Sequence, residues 1–145
     1  HYLRSRAIAR LYIRGSYSCT GWLVSESPSL LITNEHCLRT QEDVENTDFE
    51  FMGDETSCES TTGDCLMCDR GVTYDGAKLV SVSSIYDYAL IELEGDPGLI
   101  YGFLSLDLRT PLLYEEIYIP QHPSGRAKEI AIADSTSPSK TCRIK

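Results

Sequence analysis

No stretch of the 145 residues is apolar over the roughly 20 positions that a membrane-spanning helix needs, so a soluble globular product is expected. The length suits one domain, or one domain and part of another. Positive charge is scarce: 13 Lys and Arg stand against 22 Asp and Glu, a net charge of −9. Such a balance repels a phosphate backbone, and no nucleic-acid partner is expected. A sustained 3.6-residue hydrophobic period is missing, as are internal repeats, heptads and low-complexity tracts. A basic-then-apolar leader is missing too. The first residue is His1 rather than Met, and the start reads as a processed or cloned end whose signal is already gone.

What is present is a series of short apolar, β-branched and aromatic runs: Ala7 to Ile13, Trp22 to Val24, Leu30 to Thr33, Phe49 to Met52, Leu79 to Val82, Ala89 to Leu93, Ile117 to Ile119 and Ile130 to Ala133. Turn chemistry separates them, as in Arg14-Gly15-Ser16, Ser27-Pro28-Ser29, Asp75-Gly76, Gly95-Asp96-Pro97-Gly98 and Pro123-Ser124-Gly125. The pattern predicts an all-β barrel or sandwich. Six Cys suit disulfides formed in an oxidising compartment, which points to secretion.

The segment from Gln41 to Asp69 holds ten acids, no Lys or Arg, and Cys58, Cys65 and Cys68. It reads as an acidic surface loop stapled by a disulfide. A structural zinc site on Cys65-Leu66-Met67-Cys68 lacks a second Cys pair or a His pair, and the acids do not fall at calcium-loop spacing. No cofactor or metal is expected.

The informative stretch is Cys19-Thr20-Gly21-Trp22-Leu23-Val24 followed by Leu30-Leu31-Ile32-Thr33-Asn34-Glu35-His36-Cys37, two strands converging on a His between polar residues and a Cys. Further on, Asp87-Tyr88-Ala89-Leu90-Ile91-Glu92-Leu93 sets a carboxylate at the mouth of an apolar strand. These motifs resemble the chymotrypsin-like (trypsin-fold) serine endopeptidases, whose patterns are Cys-Xaa-Gly-Xaa-Leu-Val, Leu-Thr-Ala-Ala-His-Cys and Asp-Xaa-Ala-Leu-Xaa-Xaa-Leu. In outline the chain is most similar to secreted lysyl- and glutamyl-endopeptidase types, through Gln121-His122-Pro123, Ser135-Thr136-Ser137-Pro138, and Ser57-Cys58 after Phe49 to Met52. The resemblance implies His36 as general base and Asp87 as the group that holds the imidazole tautomer and stabilises its cation. It also implies a Cys19 to Cys37 disulfide, which would tie the His-bearing turn to the preceding strand and stabilise by about 3 kcal/mol. The implied fold is the first antiparallel β-barrel of a double barrel in residues 1–112, plus the opening hairpin of the second in 113–145. His1 carries no expected task, and His122 reads as a loop residue within possible reach of substrate.

Three departures qualify the implication. Asn34 and Glu35 replace the two small residues before the His, and the extra carboxylate either raises the pKa of the base or faces solvent. His1-Tyr2-Leu3-Arg4 is not the Ile/Val-Xaa-Gly-Gly start that orders the active site of animal zymogens. No Gly-Xaa-Ser-Gly occurs, so the nucleophile and oxyanion amides are absent, and Ser16, Ser18 and Ser124 read as turn residues. The expectation is a secreted two-chain serine endopeptidase acting on protein or peptide substrates. This would be its N-terminal chain, cut after Lys145, with Ser on a C-terminal partner chain. If two of Cys58, Cys65 and Cys68 pair together, the third reaches Cys142 or that partner. The alternatives are a non-catalytic homologue serving as a binding or inhibitor module, and a disulfide-stapled or zinc-binding domain.

Overall fold

The structure, a computed structural model, describes residues 1–55, 71–134 and 137–144, apart from the side chain of Pro138. Helix α1 (Tyr2–Ser5) leads into β1 (Ile8–Ile13), β2 (Tyr17–Leu23) and β3 (Ser29–Thr33). After α2 (Gln41–Glu45) come β4 (Thr47–Phe51), β5 (Val72–Tyr74), β6 (Ala77–Ser83), β7 (Tyr88–Leu93) and α3 (Pro97–Tyr101). Extended chain then leads to β8 (Ile119–Gln121), a 3-10 turn at Pro123–Gly125, β9 (Glu129–Ala131), β10 (Ala133–Asp134) and β11 (Ser137–Thr141).

Strands β1 to β7 form one antiparallel sheet in the order β5-β4-β1-β2-β3-β7-β6. Its two outermost strands, β5 and β6, are joined only by Asp75 and Gly76, a link that spans at most about 11 Å. The sheet must therefore curl, bringing its edges close at that end, which gives a half-barrel and bears out the all-β class. Alternation decides its inner face. Ala9, Leu11 and Ile13 of β1, Ser29, Leu31 and Thr33 of β3, and Ala89, Ile91 and Leu93 of β7 are all buried. The apolar ones among them make most of the core with Leu23, Phe49 and Phe51, and Ala7, Cys37, Leu38, Val44 and Tyr101 join it. Gly21 lets the layers close up: a Cβ there would stand 2.6 Å from Leu31 Cδ2 and 2.9 Å from Leu11 Cδ1.

The expected turns fall where the composition put them. Arg14 and Gly15 adopt φ 51° and 68° between β1 and β2, a reversal that matches strand twist. At the far end, Phe51 stacks on Tyr101 with ring centroids 4.8 Å apart, and Tyr74 meets both edge-on. The backbone N–H of Gly98 donates to Ser29 Oγ at 2.8 Å, which fastens α3 to β3. Burial foremost, with a hydrogen bond that the Tyr101 O–H makes to Tyr74, pushes the Tyr101 phenol up to about 12.

The acidic stretch from Gln41 differs from expectation where it is described. Its first part is not a solvated loop but α2 and β4. Thr40 and Asp43 form a reciprocal capping box that starts α2, and the Gln41 carboxamide bonds Ala77 O and Leu79 N–H of β6 at 3.0 and 2.8 Å. Glu50 is buried against Arg10. Cys58, Cys65 and Cys68 lie outside the described residues. Cys142 carries a free thiol that donates to Ala133 O at 2.8 Å.

Among the described residues no helix is long and apolar enough to cross a membrane. β8 and β9 form one small antiparallel hairpin and β10 and β11 another. Both lie within residues 113–145.

Candidate active site

The β3–β7 ladder brings His36 and Asp87 together. Its last pair is Thr33 with Ala89. Because the strands are antiparallel, the residues after Thr33 and those before Ala89 leave the sheet at the same end. His36 stands three residues beyond Thr33, and Asp87 two residues before Ala89.

Local bonds then shape each side. The Thr33 hydroxyl donates to Thr20 O at 2.8 Å, and the N–H groups of Cys37 and Leu38 close a turn on Asn34 O at 3.2 and 3.3 Å. The Cys19–Cys37 disulfide, with Cα atoms 6.3 Å apart, joins this turn to β2. Asp87 sits at φ 48°, a left-handed backbone that non-glycine residues adopt at a cost.

His36 Nδ1 lies 2.8 Å from Asp87 Oδ2 and 3.0 Å from Oδ1, and the His36 backbone N–H donates to Oδ1 at 3.0 Å. The Asn34 carboxamide donates to Asp87 Oδ2 at 3.1 Å and to Asp87 O at 3.2 Å. The His36 N–H foremost, joined by the imidazole and the Asn34 amide, holds the Asp87 carboxyl below the usual carboxylate range against the opposing effect of burial. An ionised carboxylate at Nδ1 selects the Nδ1–H tautomer and leaves Nε2 as a basic lone pair. No described residue hydrogen-bonds Nε2, and the His36 and Asp87 side chains are 52% and 44% exposed. Such a pair can take a proton from a hydroxyl brought to Nε2 and return it to a leaving group.

The remaining site residues fall as follows. Glu35 neither lies free in solvent nor touches the pair: only 18% exposed, it pairs with Arg39 at 3.6 Å. The Cys19 and Cys37 sulfurs lie near the imidazole but are bonded to each other, so they offer no thiolate to a metal. His1 stacks on Tyr118, ring centroids 3.9 Å apart. Ser124 lies in the 3-10 turn at φ 54°, and Ser16 in the β1–β2 turn.

His122 departs from its reading as a loop residue within reach of substrate: it is 3% exposed. Its N–H donates to Thr20 Oγ1 at 3.0 Å, its Nδ1 donates to Arg126 O at 2.9 Å, and its Nε2 has no hydrogen-bond partner among the described residues. Burial foremost, reinforced by the Lys128 and Arg10 cations, lowers the imidazole to about 4. Close by in the fold, Lys128 pairs with Asp54 at 2.9 Å. Arg10 binds Glu50 through Nε at 2.7 Å and donates from Nη1 to Gly125 O at 2.9 Å, so β1 grips the turn that follows His122.

Sequence reasoning passed over Arg10 and Glu50. The available signal was a cation at an alternate position of an apolar strand, Ala7 to Ile13, opposite an acid-bearing strand. Asn34 was noticed only as a departure in type.

Comparison with known proteins adds three findings. The family described as "Lysyl endopeptidase, C-terminal domain" matches residues 2–145. "Secreted RxLR effector protein 73" of Plasmopara viticola is 39% identical over 131 residues, 88% of this chain and 32% of that protein. A solved chain titled "Structure of Glu endopeptidase in complex with MPD" has the same fold, with a TM-score of 0.56 at 20% identity over 90% of this chain and 62% of that one. The chain thus spans about a third of the curated relative it matches, and under two thirds of the solved chain.

Proposed function

We propose, from the premise that this chain belongs to the lysyl endopeptidase C-terminal domain family, that it supplies the base and its orienting acid to a serine endopeptidase. His36 takes the proton of the attacking serine and delivers it to the leaving amine, and Asp87 holds the Nδ1–H tautomer and stabilises the imidazolium. The observation that carries this reading is the 2.8 Å contact of His36 Nδ1 with the Asp87 carboxylate, with Nε2 free of any described partner. The substrate is a protein or peptide, and the reaction is acyl transfer through a covalent intermediate.

On this reading the serine and its oxyanion amides come from outside these 145 residues, in which no Gly-Xaa-Ser-Gly occurs, and we assign them to a C-terminal partner chain. Residues 1–112 are the first barrel and residues 113–145 the opening of the second. Two short hairpins with exposed Ile119 and Ile132 fit a barrel completed from elsewhere. Secretion follows from the cysteine content and the Cys19–Cys37 disulfide, and agrees with the word "secreted" in the relative's name.

A second reading is favoured by one observation, that this relative is named an effector. On that reading the chain is a protease-like binding or inhibitor module that needs no nucleophile. Intact mass under reducing and non-reducing conditions, combined with fluorophosphonate labelling of material from the native source, separates the two. A second polypeptide that carries the label is the expected result. A lone unlabelled chain sinks the two-chain enzyme and leaves the binding module.

A further inference from the structure

We propose that Asn34 is a positioning residue of the His36–Asp87 pair, its carboxamide clamping the carboxylate and the main-chain carbonyl of Asp87 at once. The assignment rests on the catalytic reading above, and it concerns how the acid is held rather than which residues react.

Asp87 has little to hold it besides hydrogen bonds. Its side chain is 44% exposed, so packing does not fix the carboxylate plane, and its backbone is in the left-handed region. Both oxygens are nonetheless engaged. Oδ1 accepts from the His36 N–H and faces Nδ1 at 3.0 Å, and Oδ2 faces Nδ1 at 2.8 Å and accepts from Asn34 Nδ2 at 3.1 Å. Rotation of the carboxylate away from the imidazole would break the Asn34 bond together with the His36 N–H bond. The second donation from Nδ2, to Asp87 O at 3.2 Å, restrains the peptide that leads into β7.

The residue type fits this task. A primary amide has two N–H groups for two acceptors, whereas Asp at this position would repel the carboxylate, and Leu, of similar size, offers no donor. The anchor is also well placed. Asn34 O accepts from Cys37 N–H and Leu38 N–H, so the clamp is rooted in the turn that carries the base. One residue therefore references the acid to the base, independently of anything outside this chain.

The test is nitrogen-15 NMR of the His36 ring in the full chain, above the imidazole pKa. The unmodified chain is expected to hold the Nδ1–H tautomer, and Asn34→Leu to shift the population toward Nε2–H while the Cys19–Cys37 disulfide stays closed. A wild-type ring on Nε2–H sinks the catalytic pair itself. A wild-type Nδ1–H ring that Asn34→Leu leaves unchanged overturns the Asn34 assignment alone. If that variant does not fold, the unmodified chain still decides: the Asn34 Nδ2 protons must shift as Asp87 is protonated, and their indifference overturns the proposal. In the complete enzyme, Asn34→Leu should lower kcat by about tenfold to a hundredfold with KM unchanged. A purely structural role would not produce that split.

Discussion

At His36 and Asp87 the expected effects of substitution differ in cause. On the proposed reading His36→Ala removes the base. Asp87→Asn keeps the shape of the side chain, but its one oxygen can take only one of the two accepting places, Oδ1 toward the His36 N–H or Oδ2 toward the Asn34 amide, and the amide nitrogen takes the other. The amide nitrogen then faces Nδ1 and forces the unproductive Nε2–H tautomer. A loss of about 10⁴-fold in kcat is expected for Asp87→Asn, measured on a peptide amide with the complete enzyme. His122 carries a different prediction. Its imidazole titrates near 4 when folded and near 6.5 when unfolded. Between those values the unfolded chain binds a proton that the folded chain refuses, so stability falls as pH is lowered through that window, by on the order of 3 kcal/mol. Urea midpoints at pH 7 and pH 4.5 should show the drop, and His122→Asn should flatten it. Nothing in the composition announces that burial. Gln121-His122-Pro123-Ser124-Gly125 has the look of a surface turn, and only the grip of Arg10 on Gly125 O and of Thr20 on the His122 N–H makes it an interior one.

Among the elements, β2 and the turn after β3 depend on the Cys19–Cys37 bond. Replacing both cysteines by serine releases a loop closed over 18 residues and should cost about 3 kcal/mol in a denaturant melt. The β1–β4 pair holds a second element-scale dependence. Arg10 and Glu50 are 13% and 9% exposed and ion-paired across the ladder. Glu50→Ala takes the carboxylate from a buried guanidinium and leaves Gly71 N–H, now bonded to Glu50 Oε1 at 2.7 Å, without that acceptor. Destabilisation of about 3 kcal/mol is expected, read as a fall in the thermal midpoint. The strands were legible because short apolar runs such as Leu30 to Thr33 and Ala89 to Leu93 stand between turn residues; which face is buried was not, since both faces of these runs carry apolar side chains. Helix α2 was not. Its cap is Thr40 with Asp43 rather than a Glu or Gln, it runs only five residues, and it opens an acid-rich stretch that resembles a loop in charge.

For the molecule as a whole, the all-β class was readable from run length and turn spacing, and the meeting of His36 with Asp87 from two ordered motifs. The curl was not, since it follows from pairing order: β5 and β6 lie at opposite ends of the sheet yet only two residues apart in sequence. The leash beyond α3 also escaped a run-by-run reading. Phe103, Leu106, Leu108, Leu112 and Leu113 are all exposed along it, without a helical or strand period.

The placement of His36 and Asp87 just past the end of one antiparallel ladder has a consequence in genetic terms. Their separation is counted in residues, three after Thr33 and two before Ala89, with no third element able to make up a shortfall. Loss or gain of a single codon in either count, even one specifying an interchangeable amino acid, would slide one partner past the other. In-frame indels within 34–36 or 87–88 should therefore be purged from populations more severely than most missense changes around them.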